Sequence, residues 1–148
     1  MNSDLILAHL QQTLEEIEIK YSIEDKDEDS YVLIKFRNSK LDYNFEINIL
    51  VLDSVQALSF IVTDMLKFEL DISKEQLLNE INNQNSSLLF GKITFSEGSQ
   101  YIYGIYEYTL NLERDNELIS AKELKSTISY IVSYKRQLET AKRIPIHS

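Results

Sequence analysis

Apolar residues recur at helical spacing near the start of the chain. The stripe consists of Ile6, Leu10, Leu14 and Ile17. This spacing predicts an amphipathic helix over residues 3 to 22, with Ser3 as its N-cap.

An acidic segment, residues 24 to 30, follows this helix. Its alternating aspartates at 25, 27 and 29 are typical of a calcium loop. An EF-hand loop also requires glycine at its sixth position and glutamate at its twelfth. Because Ser30 and Phe36 stand there, we interpret the segment as a solvated loop without a metal site.

The next segments change to strand patterns. Residues 31 to 36 are β-branched and aromatic, residues 37 to 40 form a turn, and residues 41 to 51 alternate between apolar and polar positions. The period of two indicates an antiparallel strand with one wetted face. After a turn at residues 53 and 54, a third strand is predicted over residues 55 to 63.

A second helix has clear start signals. Ser73 and Gln76 have the spacing of a capping box, and Leu77, Leu78 and Ile81 are expected to face the core. Side-chain amides at residues 82 to 85 then replace apolar residues. We predict that these amides end the helix, because asparagine tolerates left-handed backbone angles.

The remaining segments indicate a hairpin and a last helix. Strands are predicted over residues 88 to 95 and 100 to 110 around a turn at Gly98. Ser120 and Glu123 mark the start of the helix, whose buried stripe is Ala121, Leu124, Ile128, Ile131 and Leu138. The order α-βββ-α-ββ-α predicts an α+β fold, an antiparallel sheet with helices mainly on one face, and one domain over residues 1–148.

The composition limits the kinds of partner and site that we expect for this chain. The chain has 148 residues, a formal net charge of −9 and no cysteine. Negative charge opposes contacts to phosphates, so we expect neither a nucleic-acid nor a membrane partner. The absence of cysteine excludes disulfides, zinc–thiolate sites and thiol nucleophiles. The acidic N-terminal segment does not resemble a signal peptide, so a cytoplasmic location is expected.

The element order and one local motif resemble the YbjN family, whose fold is shared with class I type III secretion chaperones. In this motif, the end of a helix is followed by a strand in which a small residue comes directly after an aromatic one. It is carried by Leu77, Leu78, Ile81, Asn82, Asn85, Phe90 and Gly91. The turn at Gly98 and the apolar positions of the last helix, with Leu124, Ile128, Ile131 and Val132, continue the match.

This resemblance implies a type III secretion chaperone-like fold and a protein partner. The secretion chaperones are small acidic homodimers that hold an unfolded segment of an effector. YbjN-type proteins have been described as sensory-transduction or stress regulators without a known enzymatic activity. We therefore expect a dimeric protein-binding or regulatory module of the YbjN type, with a secretion-type chaperone as the alternative.

Two groups of polar residues are candidate sites. The amides of Asn82 and Asn85 can recognise a ligand or brace the following strand, and we favour bracing because amides commonly bond nearby backbone. The predicted fifth strand carries Tyr101, Tyr103, Tyr106 and Tyr108. Tyrosine suits both strands and protein interfaces. Our hypothesis is that whichever pair lies outside contacts a partner.

Catalytic chemistry finds little support in the sequence. His9 and His147 are the two histidines, and neither has an evident nucleophile or carboxylate partner. The chain has no glycine-rich phosphate loop, no histidine-rich metal spacing and no Gly-x-Ser-x-Gly motif. We expect no catalytic, metal or cofactor site. An enzyme of unrecognised class stays the less favoured alternative.

Overall fold

The computed structural model describes residues 3–26, 29–38, 43–52, 55–112 and 119–143. The elements are α1 (Ser3–Glu16), β1 (Ser22–Lys26), β2 (Asp29–Asn38), β3 (Tyr43–Leu52), β4 (Ala57–Glu69), α2 (Lys74–Ser87), β5 (Lys92–Glu97), β6 (Tyr101–Asn111) and α3 (Ala121–Arg143). Part of the acidic segment, residues 39 and 40 of the turn at 37–40, the turn at 53–54 and His147 lie outside the described residues.

The strands form a six-stranded sheet in the order β1-β2-β3-β4-β6-β5, with every neighbouring pair antiparallel. The prediction of an α+β fold with an antiparallel sheet is thus confirmed. One row of paired residues crosses four strands and consists of Val32, Ile49, Phe60 and Tyr108. Its first three members are buried, together with Ile6 and Leu10 of α1 and Leu124 and Ile131 of α3.

The two sheet faces have different roles. We call the face that carries this row the inner face, because the buried sides of α1 and α3 join its core. The opposite side is the outer face. Successive side chains of a strand point to opposite faces. Exposed Asn44 and Glu46 therefore belong to the outer face, whereas buried Phe45 and Ile47 belong to the inner face.

A β-bulge interrupts the central strand β4. Its pairing with β6 shifts register between Val62 and Leu66. Pairing of β4 with β3 already stops at Asn48 and Ile61. The two strands therefore separate beyond this point, since a bulge bends a strand and disrupts its ladder.

The beginning of the chain differs from the prediction. Helix α1 ends at Glu16 instead of residue 22, and Glu18 follows with a positive φ of 61°. Part of the segment interpreted as an acidic loop forms β1, which pairs with β2. The prediction missed this strand because it has no apolar alternation, and its pairing depends on backbone hydrogen bonds that side-chain patterns do not reveal.

Helix α2 begins as predicted and ends later. The Ser73 hydroxyl accepts a hydrogen bond from the backbone N–H of Gln76 at 3.1 Å, which confirms the N-cap. The prediction that the amides end the helix is wrong, because the helix runs through residues 82 to 85 to Ser87. Leu77 and Ile81 are buried, but Leu78 is 40% exposed, which corrects its assignment to the core.

Candidate protein-binding surface

Strand β6 divides its tyrosines between the two sheet faces. Tyr106 is fully buried and Tyr108 is half-buried on the inner face. Tyr101 and Tyr103 alternate with buried Ile102 and therefore lie on the outer face, where both are half-buried. The outer pair named in the hypothesis is thus Tyr101 and Tyr103.

A groove opens beside Tyr103 where β3 and β4 separate. We call it the tyrosine groove. It has a volume of about 410 Å³ and is lined by Asn44, Phe45, Glu46, Thr63, Asp64 and Tyr103. The bulge in β4 supplies Thr63 and Asp64. The beginning of β3, which pairs with β2 but not with β4, supplies the other wall. The groove therefore exists because two neighbouring strands stop pairing.

The charges around the two outer tyrosines differ. The Lys67 ammonium lies 4.4 Å from the ring centroid of Tyr101, close enough for a cation–π contact. Tyr101 in turn packs edge-on against Tyr103, with ring centroids 6.3 Å apart. Tyr103 instead shares its groove with the acidic residues Glu46 and Asp64. An aromatic ring beside two carboxylates is a suitable environment for a lysine or arginine side chain.

The bulge that shapes this groove is held from the inner side by Lys135 of α3. Its ammonium donates to the backbone oxygens of Asp64 at 2.9 Å and Met65 at 3.1 Å, and it lies 2.9 Å from Glu139 Oε1. Lys135 is only 4% exposed. Sequence reasoning missed this residue. Its position four residues after Ile131 on the buried stripe was the available signal.

Asn85 is joined to the edge strand β5. Its Nδ2 donates to the backbone oxygen of Ile93 at 2.9 Å, and its Oδ1 accepts from the backbone N–H of Ile93 at 2.7 Å. The amide thus completes the hydrogen bonds that a neighbouring strand would make. Asn82 is exposed, and its backbone oxygen accepts from the Ser86 hydroxyl.

Phe90 and Gly91 form the connection between α2 and β5. The Phe90 ring packs between Tyr108 and Tyr130, at centroid distances of 4.5 Å and 4.4 Å. Gly91 has a φ of +86°, and a Cβ atom there would lie 2.5 Å from the Tyr106 ring. The Tyr106 hydroxyl donates to the backbone oxygen of Phe90 at 3.0 Å. The small residue is therefore required both by the backbone angle and by the ring.

Two tyrosines in this region have raised pKa values. Burial raises the pKa of the Tyr106 hydroxyl far above its ordinary value, and it raises that of Tyr134 to about 12. Both hydroxyls remain protonated at neutral pH and can donate hydrogen bonds. Tyr134 donates to the side-chain oxygen of Gln84, which joins α3 to α2.

A second groove lies on the helical side of the molecule. We call it the helix groove. Its volume is about 400 Å³, and it is lined by Ile17, Ile19, Phe36, Lys125, Ile128, Ser129, Val132, Ser133 and Arg136. The lining comes from the residues just after α1, from β2 and from one side of α3.

Metal-binding clusters and membrane-spanning helices are two further features that could indicate a function. Among the described residues, no three His, Asp or Glu side chains are grouped so that they could hold a metal ion. No helix in the described part of the chain has the length and apolar character needed to cross a membrane.

Comparisons with known proteins support the fold. No protein-family model matches the chain, and no curated protein matches it by sequence. The crystal structure of YbjN, a proposed transcription regulator from E. coli, is similar with a TM-score of 0.58 and 13% identity, over 90% of this chain and 87% of that chain. The HopA1-SchA chaperone–effector complex contains a chain similar with a TM-score of 0.57 and 15% identity, over 93% of this chain and 96% of that chain. This chain therefore has the fold that YbjN shares with a component of a chaperone–effector complex.

Proposed function

We propose that this chain is a non-enzymatic protein-binding module that holds a basic, extended segment of a partner protein in the tyrosine groove. The observation that carries the proposal is the groove itself. It brings Tyr103, Glu46 and Asp64 together in one lining, and Tyr103 and Glu46 lie on the sheet face opposite α1 and α3.

The groove is suited to a peptide rather than to catalysis. Glu46 is exposed and Asp64 is half-buried, so both carboxylates are open to solvent and to a cationic side chain. Asn44 and Thr63 are also exposed and can bond the backbone of an extended segment. The net charge of −9 favours the approach of a basic segment over long distances.

Affinity purification from the native host tests this proposal. We expect Tyr103→Ala and the double variant Glu46→Lys/Asp64→Lys to retain on the order of tenfold less partner than the wild type, because cation–π and ionic contacts are lost or reversed. Tyr103→Phe keeps the ring and should retain most of the partner. The stoichiometry is read by quantitative mass spectrometry.

A matched control separates the groove from overall charge. Glu16→Lys/Asp71→Lys changes the net charge by the same amount at two exposed positions outside the groove. It should capture partner as the wild type does. Equal losses in both double variants would refute recognition by the groove, and equal capture by all variants would do so as well.

We also propose that the chain is a homodimer that uses the surface around β5. Three apolar side chains are exposed on α2, the α2–β5 connection and β5: Leu78 at 40%, Leu89 at 81% and Phe95 at 46%. Strand β5 is also an edge of the sheet, where unpaired backbone groups favour association. Asn85 occupies this edge only at Ile93.

Sedimentation analysis tests the homodimer. We expect the wild type to sediment as a dimer at micromolar concentration and Leu89→Glu/Phe95→Glu to sediment as a folded monomer, because two charges would enter an apolar contact. Val55→Glu changes another exposed apolar residue, far along the chain from β5, and serves as the control. A monomeric wild type, or a double variant that stays dimeric, would contradict this proposal.

A dedicated chaperone is the second candidate function. The fold similarity to the HopA1-SchA chaperone–effector complex favours it. The two candidates differ in what the partner looks like when it is bound. A chaperone should hold an unfolded segment of one dedicated protein, so hydrogen exchange in the bound partner should stay fast outside the contact. A regulator should bind a folded partner with protected amides.

A further inference from the structure

The helix groove combines an apolar floor with a cationic rim. The floor consists of Ile17, Ile19, Phe36, Ile128 and Val132. Lys125 and Arg136 stand at the two ends of the α3 wall, with Ser129 and Ser133 between them. Both cations are exposed, which leaves their charged ends accessible from solvent.

The two cations have no ionic partner within the chain as far as it is described. The ion pair found among the described residues joins Lys135 to Glu139, and neither Lys125 nor Arg136 contributes to one. The whole chain has 24 acidic and 15 basic residues, whereas the charged residues that line this groove are the two cations. Local charge at this groove is thus opposite in sign to that of the whole chain.

The spacing of the cations indicates what fits the groove. Lys125 and Arg136 are separated by about three helical turns, roughly 16 Å along the axis of α3. One carboxylate on a small amphiphile can reach only one of these ends. A helix of about three to four turns can place a carboxylate at each end and an apolar stripe between them, which is the helix-in-groove mode of recognition.

We infer that the helix groove binds an acidic amphipathic helix of a partner protein. The partner's apolar side chains pack on Ile17, Phe36 and Val132, and its carboxylates pair with Lys125 and Arg136. The hydroxyls of Ser129 and Ser133 lie along the same wall and can bond polar groups of that helix. This site is separate from the tyrosine groove and takes the opposite charge.

Fluorescence anisotropy with designed peptides tests the inference on the full chain. The first probe is a labelled amphipathic helical peptide of about 16 residues with glutamates at both ends and leucines at helical spacing. The second probe has the same sequence with lysines in place of the glutamates. We expect the wild type to bind the acidic probe about tenfold tighter, and Lys125→Glu/Arg136→Glu to reverse this preference.

Matched variants keep the result interpretable. Lys122→Glu changes an exposed lysine of α3 that does not line the groove, and it should leave the preference as in the wild type. Circular dichroism checks that each variant is folded. Glu46→Lys/Asp64→Lys should also leave the preference for the acidic probe unchanged. Failure of the proposal for the tyrosine groove is therefore distinguishable from failure of the proposal for the helix groove.

Four outcomes would overturn the inference. The wild type could bind neither probe, or bind both equally. Reversal could fail in Lys125→Glu/Arg136→Glu. Finally, dodecanoate could displace the acidic probe as readily from a variant that lacks one of the two cations as it does from the wild type. That result would assign the groove to a small amphiphile instead of a helix.

Discussion

Replacing Gly91 with alanine should be strongly destabilising. The residue has a φ of +86°, and the added Cβ would lie 2.5 Å from the ring of Tyr106, which is fully buried. Left-handed strain costs about 1–2 kcal/mol and overpacking about 1–3 kcal/mol. We expect the free energy of unfolding to fall by about 2–5 kcal/mol, as measured by urea denaturation.

A double variant shows whether the ring is the cause. Tyr106→Leu removes the ring atoms that the new methyl group would meet, so Gly91→Ala should cost less in this background than in the wild type. Ser99→Ala, at an exposed turn residue, should be nearly neutral. A Gly91→Ala variant as stable as the wild type would contradict this account of the connection between α2 and β5.

Replacing Lys135 with methionine should also strongly lower the free energy of unfolding. Methionine fills similar space, but it leaves the backbone oxygens of Asp64 and Met65 without this donor and removes the ion pair between residue 135 and Glu139. A buried polar group without a partner costs about 1–3 kcal/mol. We expect a loss of about 3 kcal/mol in the free energy of unfolding, measured by the same denaturation.

This substitution should also weaken partner capture. Lys135 holds the bulge that carries Asp64, so its loss allows the wall of the tyrosine groove to move. Lys122→Met removes an exposed lysine from the same helix and should change neither stability nor capture. Unchanged stability of Lys135→Met would show that the bulge does not depend on this contact.

The fold could be predicted from the sequence where side-chain patterns determine it. The alternation in β3 and the stripe of α3 place residues such as Ile47 and Ile128 correctly in the core. The caps at Ser73 and Ser120 are local contacts, with the Gln76 and Glu123 backbone N–H groups donating to the two hydroxyls. Local patterns and caps are the signals that a sequence shows directly.

The features that were not predicted correctly depend on contacts between different structural elements. Strand β1 depends on its pairing with β2. Helix α2 continues through its amides, and Asn85 at that point bonds the backbone of Ile93 in the next element. Tertiary contacts of this kind override local propensity. The role of Lys135 could not be predicted, because its partners are backbone oxygens of the bulge in β4, which is far away in the sequence.

The candidate site could be predicted only in part. The sequence placed Tyr101 and Tyr103 on one face of a strand, but it could not say which face the helices would cover. It also could not bring Glu46 of β3 and Asp64 of β4 to Tyr103, because the groove results from a bulge and from strand separation. Irregularities of this kind are not visible in hydrophobic periodicity.

Site-specific photocrosslinking in the host tests the central claim most directly. A photoreactive phenylalanine analogue is placed at Thr63, which is exposed in the tyrosine groove, and at Lys122, which is exposed on α3 outside both grooves. The account expects one protein to be crosslinked at Thr63 and not at Lys122, through a segment rich in lysine or arginine. No adduct at Thr63, or the same adduct at both positions, would contradict it.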